Sequence, residues 1–349
     1  MTPMRLLGIE TSCDDTATAI VRDGATVLAN VSTNQDAFHA KFGGIVPELA
    51  SRQHLVLLTA AVDDALGRAE LRLSELDGIA VTVGPGLVGS LAIGVASAKA
   101  LAFASGLPLF GVNHLHGHLF AAYLDLEVPA EPCYPFLALL VSGGHSQLVH
   151  VDSPEAMTVV GRTRDDAAGE AYDKTARLLG LPFPGGPELD RLAASGDPKA
   201  IRFPRHRAEG DELDLSFSGL KTSVRYFLEK PVGKAARRED VAASFQAAVV
   251  DVLIDRLDRA ATRAPYAEAI LSGGVAANSA LRVAFEAWGR SRGVPTRIPH
   301  LRYCTDNAAM IAAAADRRGV AGRVDPLTVS ANPNLPFAPQ RSFAGASER

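Results

Sequence analysis

The chain opens with a strand–turn–strand module and repeats it about half a chain later. Leu6 to Glu10 is largely apolar, Thr11 to Asp15 is small and polar, and Ala17 to Val21 is apolar again. Phe136 to Val141, Ser142-Gly143-Gly144-His145 and Ser146 to Val151 follow the same plan. A third turn of similar build, Ser272-Gly273-Gly274-Val275-Ala276-Ala277-Asn278, follows the apolar run Ala269-Ile270-Leu271. Short apolar runs bounded by Gly and small polar residues predict strands. Two such halves imply two similar α/β lobes with a cleft suited to a nucleotide, because Gly-rich turns let backbone N–H groups approach phosphate oxygens with no Cβ in the way. One Ser-Gly-Gly turn is equally a tight hairpin; three at strand ends, two of them related by the repeat, favour the ligand reading.

Helical spacing fills the intervals. Pro47 to Ala69 places Leu49, Val56, Leu57, Ala60 and Ala61 on one side, and Glu239 to Ala261 places Phe245, Val249, Val252, Leu253 and Leu257 on another. Gly78 to Ala98 holds no charged residue, but Gly84-Pro85-Gly86 interrupts it. The expected reading is a strand, a turn and a closely packed helix rather than a membrane span.

At 349 residues the chain can bury one large core or two ordinary ones. A net charge of −4 gives no global pull toward nucleic acid, so any RNA contact must use a local basic patch or a partner. Three scattered cysteines, Cys13, Cys133 and Cys304, make neither a disulfide scaffold nor a CxxC metal site, and suit a reducing cytoplasm. The first residues carry no charged-then-apolar signal pattern, so a cytoplasmic location with no membrane attachment is expected.

His114-Leu115-His116-Gly117-His118 carries the sharpest chemical signal. On a helix, His114 and His118 sit one turn apart on one face and can grip one cation. A pair leaves the coordination sphere incomplete, so a third ligand must come from elsewhere, with room left for water or substrate. His116 points to the opposite side and reads as a bystander. The same spacing also occurs on packed or solvated helix faces.

These motifs occur in the order found in one known family. Gly8 to Asp14, Pro47-Glu48-Leu49-Ala50-Ser51, Gly84-Pro85-Gly86-Leu87, Asn113 to His118, Val141 to His145 and Ser272 to Asn278 resemble the bacterial tRNA N6-adenosine threonylcarbamoyltransferases, the TsaD family, formerly labelled O-sialoglycoprotein endopeptidases. The resemblance runs from about Leu6 to Arg323. It implies a two-lobed actin/Hsp70/sugar-kinase-like α/β fold, with duplicated lobes closing over a nucleotide. The expected boundaries are an N-terminal lobe over 1–113, a metal-ligand helix over 113–124 at the junction, and a C-terminal lobe over 133–325. That second lobe carries an inserted helical segment at about 165–240, and 326–349 is a strap or disordered tail.

The implied reaction transfers a threonylcarbamoyl group from threonylcarbamoyl-AMP to N6 of adenosine 37 in tRNAs reading codons that start with A. The implied metal ligands are His114, His118 and Asp306. Two imidazoles and a carboxylate suit Fe²⁺ first, with Zn²⁺ as the alternative. Asp306 also precedes a mostly apolar helix and would be an ordinary N-cap there. The implied adenylate contacts are Val141, Ser142, Gly143, Gly144, His145, Asp173, Gly186, Asp190 and Asn278, with the two aspartates on ribose hydroxyls and Asn278 on adenine or, again, at an N-cap. Asp14, at the first hairpin with Glu10, is the candidate base or water-orienting group, and equally a plain surface acid. The implied partners are tRNA, a TsaB-like protein of the same fold and a TsaE-like ATPase. Candidate RNA-contacting cations are Arg202, Arg205, Arg207, Lys221, Lys234, Arg237 and Arg238, although charge clusters are usually solvated surface; the helix from Pro47 is a candidate docking surface.

Two positions depart from the family pattern: His116 stands where Glu is expected, and Asp15 where Glu is expected after Asp14. Rival readings are an ATP-hydrolysing or phosphotransfer enzyme of the same fold, a non-catalytic scaffold, and a metalloprotease. The last lacks the His-Glu-x-x-His arrangement in which Glu serves as base.

Overall fold

The computed structural model describes residues 4–35, 39, 41, 45–128, 130–206, 210, 212–320 and 322–337. These form two compact units, one of Met1–Pro132 with Pro299–Phe337, the other of Cys133–Ile298.

The first unit carries β1 (Arg5–Glu10), β2 (Thr16–Arg22), β3 (Thr26–Thr33), β4 (Gly78–Gly84) and β5 (Leu109–Asn113), in the sheet order β3-β2-β1-β4-β5. β1 pairs antiparallel with β2 (Gly8 opposite Ala19) and parallel with β4 (Gly8 opposite Ala80). The second unit carries β6 (Phe136–Val141), β7 (Ser146–Ser153), β8 (Ala156–Arg162), β9 (Glu268–Ser272) and the short β10 (Thr296–Arg297). Its order, read from the other edge, is β8-β7-β6-β9-β10, again with one antiparallel and one parallel neighbour for the first strand. The duplicated module therefore extends to the whole sheet. Both leading strands are buried along nearly their full length, which is why they read as continuous apolar runs rather than alternating ones.

In the first unit one long helix, α1 (Pro47–Arg68), joins β3 to β4, and α2 (Val88–Ser105) joins β4 to β5. α3 (His114–Phe120) follows β5 directly. In the second unit, α4 (Ala168–Leu178), α5 (Gly185–Ala193), α6 (Ser218–Glu229), the one-turn α7 (Pro231–Lys234) and α8 (Arg238–Ala260) come between β8 and β9. α9 (Ser279–Arg292) lies between β9 and β10, and α10 (Ala308–Val320) follows.

Three expectations change. First, α1 buries Ala50, His54, Leu58, Ala61, Val62 and Ala65, whereas Val56 is 71% exposed. The helix is apolar on more than one side, so periodicity did not single out the face that meets the sheet. Second, the chain from Pro299 belongs to the first unit, not to a second lobe ending at 325. Its helix α10 packs on β1, β2 and α3, and the reason is steric: a Cβ at Gly8 would lie 2.2 Å from the Ala308 carbonyl oxygen, and one at Gly117 would lie 2.8 Å from Ile311 Cδ1. At Gly8 the obstacle is backbone, so only glycine there lets α10 settle so closely; at Gly117 a side chain would press on Ile311 and Met310.

Third, residues 325–337 run back along the first unit. Asp325 N–H donates to the Leu109 carbonyl (2.8 Å), Asn332 N–H to that of Val83 (2.7 Å), and Gly86 N–H to that of Pro333 (3.2 Å). Asn113 Nδ2 donates to the Pro336 carbonyl (3.1 Å) and His116 Nε2 to that of Phe337 (2.8 Å), while the His116 and Phe337 rings meet edge-on. His116, which stays out of the His114–His118–Asp306 cluster, thus anchors the strap. The remainder of the expected tail, 338–349, lies outside the described residues.

Among the described residues one helix, α2, is long and apolar enough to cross a membrane. Its inner face, Leu91, Gly94, Val95, Ala98 and Ala102, is buried. It packs on β4, and Val95, Ala98 and Ala102 join the same apolar cluster as Leu7, Ile9, Ile79 and Val81. Full burial of the Leu, Ile and Val side chains among these stabilises by about 1.5–3 kcal/mol each.

Candidate functional site

The histidine helix starts where β5 ends because Asn113 caps it, its side-chain oxygen accepting the Leu115 N–H at 3.0 Å. His114 and His118 then project from one face, ring centroids 4.8 Å apart and nearly perpendicular. Asp306 arrives from the other end of the first unit's sequence. Its Oδ1 lies 3.5 Å from His114 Nε2 and 3.3 Å from His118 Nε2, and one ligand atom from each residue falls within 4.8 Å of the others. Ligands held at about 2.0–2.2 Å from one ion stand roughly 3–3.5 Å apart; the two distances from Asp306 meet that spacing, and the imidazoles need only draw together for the set to hold a divalent cation. The structure thus brings together the three residues that the resemblance assigned to metal.

Two features place Asp306. Tyr303 Oη and Arg302 Nη2 both donate to Asp125 Oδ2 at 2.6 Å, and Val27 N–H donates to Asp125 Oδ1 at 2.9 Å, which fixes the turn before it. Asn307 supplies the cap of α10, its Oδ1 accepting the Met310 N–H at 2.9 Å. The capping alternative for Asp306 therefore falls to its neighbour.

Electrostatics bind the cluster. Burial disfavours the charged form of His114, but the carboxylates of Asp306 and Glu10 outweigh it and hold its pKa well above the ordinary histidine value. Burial works against the carboxylate of Asp306 too, yet His114 and then His118 keep its pKa well below the usual range. Cation binding at an imidazole nitrogen requires that proton to leave.

Two residues that sequence reading did not place are now evident. Glu10, given no role beyond its place beside Asp14 at the first hairpin, is fully buried with Oε2 at 3.0 Å from His114 Nδ1. A signal was present: Glu10 is the lone charge on the buried stretch of β1. His54 on α1 is also buried. Its Nε2 donates to the Cys13 carbonyl at 2.9 Å, so its Nδ1, 2.8 Å from Thr16 Oγ1, accepts, and burial lowers its pKa. It pins α1 to the first hairpin tip, where Asp14 sits half-buried.

In the second unit, the turn after Val141 closes through Ser142 N–H to the His145 carbonyl (2.7 Å) and His145 N–H to Ser142 Oγ (3.2 Å). Gly143 and Gly144 are exposed at its tip. Gly169 N–H, at the start of α4, reaches the Ser142 carbonyl at 3.3 Å. Gly273 has φ +89°, and a Cβ there would lie 2.4 Å from the Val141 carbonyl oxygen, so the second Gly-rich turn abuts the first.

Asp173 Oδ1 accepts the Gly185 and Gly186 N–H groups (2.9 and 3.1 Å) at the start of α5. Burial raises the Asp173 pKa despite those donors. Asp190, on the same helix, accepts from Asn278 Nδ2 (3.0 Å), Ser279 Oγ (2.8 Å) and Ser279 N–H (3.1 Å). Asn278 also donates to Gln246 Oε1 at 2.8 Å and caps α9 by accepting the Leu281 N–H at 2.9 Å. Both Asn278 amide hydrogens are thereby engaged within the protein.

The basic residues are more neutralised than expected. Arg205 pairs with Asp251 (2.9 Å), Lys221 with Asp166 (2.7 Å) and Arg237 with Glu239 and Asp240 (3.7 and 3.8 Å); Arg238 donates to the Leu179 carbonyl. Arg202 and Lys234 are exposed, and Arg207 lies outside the described residues.

A sequence model described as TsaD, tRNA N6-adenosine threonylcarbamoyltransferase, matches residues 26–313. The protein of that name from Moorella thermoacetica is 50% identical over 338 residues, 96% of this chain and 98% of the relative. The one from Salinibacter ruber is 51% identical over 338 residues, covering 95% and 99%. Among solved structures, HypF of T. kodakarensis aligns over 91% of this chain and 49% of its own, with TM-score 0.61 and 14% identity. Component A of the Acidaminococcus fermentans (R)-2-hydroxyglutaryl-CoA dehydratase aligns over 91% and 99%, with TM-score 0.53 and 15% identity. These distant likenesses speak to the fold alone, which is the actin/Hsp70/sugar-kinase-like α/β class. With about half its residues shared across nearly the full length of such relatives, and the family's sequence model matched over most of its length, the chain belongs to the TsaD family of tRNA N6-adenosine threonylcarbamoyltransferases.

Proposed function

We propose that this chain transfers the threonylcarbamoyl group of threonylcarbamoyl-AMP to N6 of adenosine 37 in tRNAs reading ANN codons. The observation that carries the proposal is the convergence of His114, His118 and Asp306, with Asn307 rather than Asp306 serving the helix, in a member of this family. In the reaction N6 attacks the carbamoyl carbon, a C–N bond forms, the C–O bond to the phosphate breaks, N6 loses a proton and AMP departs.

Each residue has a task in that scheme. His114, His118 and Asp306 hold one divalent cation, Fe²⁺ first and Zn²⁺ as the alternative. When bound, the cation supplies Lewis acidity and neutralises charge on the departing phosphate. Backbone N–H groups of the exposed Gly143-Gly144 tip hold phosphate or carbamoyl oxygens, and His145 hydrogen-bonds the threonyl or carbamoyl group. Asp173 and Asp190 accept from ribose hydroxyls, with Gly186 and Asn278 setting the aspartates' positions and Val141 the turn's. Asp14 takes or relays the N6 proton.

A fold-related TsaB-like partner would cover the outer faces of α1 and α2, where Leu55, Val56, Val88 and Phe103 are exposed. A TsaE-like ATPase, and RNA contacts through Arg202 and Lys234, complete the proposal, with the cytoplasm as compartment. Single-turnover transfer tests it: purified chain with added cation, threonylcarbamoyl-AMP and unmodified tRNA should yield modified tRNA and AMP. The reading fails if the adenylate is consumed only by hydrolysis with every partner present, or if a metal-free Asp306 variant transfers normally.

A further inference from the structure

We infer that Glu10 is a positioning residue of the metal centre: its buried carboxylate holds His114 in the tautomer and orientation that turn Nε2 toward Asp306. This rests on the reading of His114, His118 and Asp306 as cation ligands.

Glu10 is the last residue of β1, a strand whose Leu6, Leu7 and Ile9 side chains are held in the apolar core. A carboxylate without water must be given donors, and Glu10 has three. The Ser12 N–H and Thr82 Oγ1 each donate at 2.5 Å, and His114 Nδ1 lies 3.0 Å from Oε2. The first two come from the hairpin tip and from the parallel neighbour β4, so the acid is clamped before it meets the histidine. Because an ionised carboxylate only accepts, the proton of that contact must sit on Nδ1, so the proton that leaves when a cation binds is the one on Nε2, and the lone pair is freed there. Nε2 is the atom that faces Asp306, at 3.5 Å. Histidine ligands are commonly set this way, the far ring nitrogen bonded to a carboxylate that raises the basicity of the ligating one.

Ser12 Oγ is also 3.1 Å from His114 Nδ1. A hydroxyl can donate or accept, so alone it would leave the tautomer undecided. The charge of Glu10 decides it, and the Ser12 N–H serves Glu10 itself. The metal centre is thereby joined to the hairpin tip that carries Asp14.

The test uses the full-length chain. Zn²⁺ affinity is measured by competition with a chromophoric chelator for wild type, Glu10→Ala, Glu10→Gln and Ser12→Ala. A long-range proton–nitrogen NMR spectrum of the Zn²⁺-loaded forms reports which nitrogen of His114 carries hydrogen. Glu10→Ala should weaken Zn²⁺ binding about 10–100-fold and remove the slowly exchanging Nδ1–H signal. Glu10→Gln, which keeps shape without charge, should fall between it and wild type, and Ser12→Ala should change affinity less than either. Should Glu10→Ala fail to fold, Glu10→Gln decides. Wild-type affinity and an unchanged Nδ1–H signal in a folded Glu10 variant would overturn the assignment while leaving the three ligands standing. Failure of the wild type to bind Zn²⁺, Fe²⁺ or Co²⁺ would instead remove the metal centre and Glu10's role together.

Discussion

Asn307 accepts the Met310 N–H at 2.9 Å, so the residue beside Asp306 does the capping that a sequence reading would assign to Asp306. The two side chains divide the work of one helix start. Asn307→Ala should therefore lower stability by about 1 kcal/mol with one cation still bound, whereas Asp306→Asn should abolish cation binding with the cap intact. Thermal denaturation and elemental analysis of the same samples check this; metal loss in Asn307→Ala alone would reverse the division.

Asn278 combines two roles that substitution can separate. Serine is a good N-cap but lacks the amide that reaches Asp190 and Gln246 at 3.0 and 2.8 Å. Asn278→Ser should keep the cap but lose about 1–3 kcal/mol with the amide's hydrogen bonds and bind threonylcarbamoyl-AMP more weakly, while Asn278→Ala should lose about a further 1 kcal/mol with the cap. Calorimetry with the adenylate decides: wild-type binding by Asn278→Ser would reduce Asn278 to a cap.

Asp316, on α10, lies beneath the β2–β3 turn, close enough that a Cβ at Gly24 would meet its Oδ2 at 2.7 Å. Burial pushes its pKa up to about 6, against the pull of Arg317. A folded-state pKa above the unfolded value of about 3.9 means the native state favours the protonated form. That contribution is full below pH 4 and is lost as pH rises through about 6. Asp316→Asn should thus be more stable than wild type at pH 8, by about 1–2 kcal/mol once solvent screening is allowed for, and nearly equal at pH 4. Denaturation curves at both pH values test the sign; an equal gap at each would refute the linkage.

His116 donates to the Phe337 carbonyl at 2.8 Å, a contact that a glutamate, the residue expected at this position from the family pattern, could not make. His116→Glu should set a carboxylate against a carbonyl and lower stability by about 1–2 kcal/mol. Amide exchange should quicken in α3 and in β5, which the strap also covers. The cation should remain bound, because His116 points away from the ligand face. Hydrogen exchange unchanged in both elements would show that the strap does not depend on this anchor.

Local pattern carried a great deal. β1, β2, β6 and β7, the Gly-rich turns and the histidine helix were legible because strand burial, turn chemistry and helical spacing are properties of neighbours in sequence. The duplicated module was legible for the same reason, and ordered motifs pointed to the family.

Tertiary structure decided what depends on packing between distant segments. It selected the inner face of α1, since an apolar helix offers more than one. It returned α10 to the first unit, since the missing side chain at Gly8 allows its backbone to approach β1 so closely. It showed which of Asp306 and Asn307 caps and which faces the imidazoles, and it set Glu10 behind His114. Residue type and spacing name the groups capable of holding a cation; the directions in which their lone pairs point are settled only when strands, helices and strap close around them.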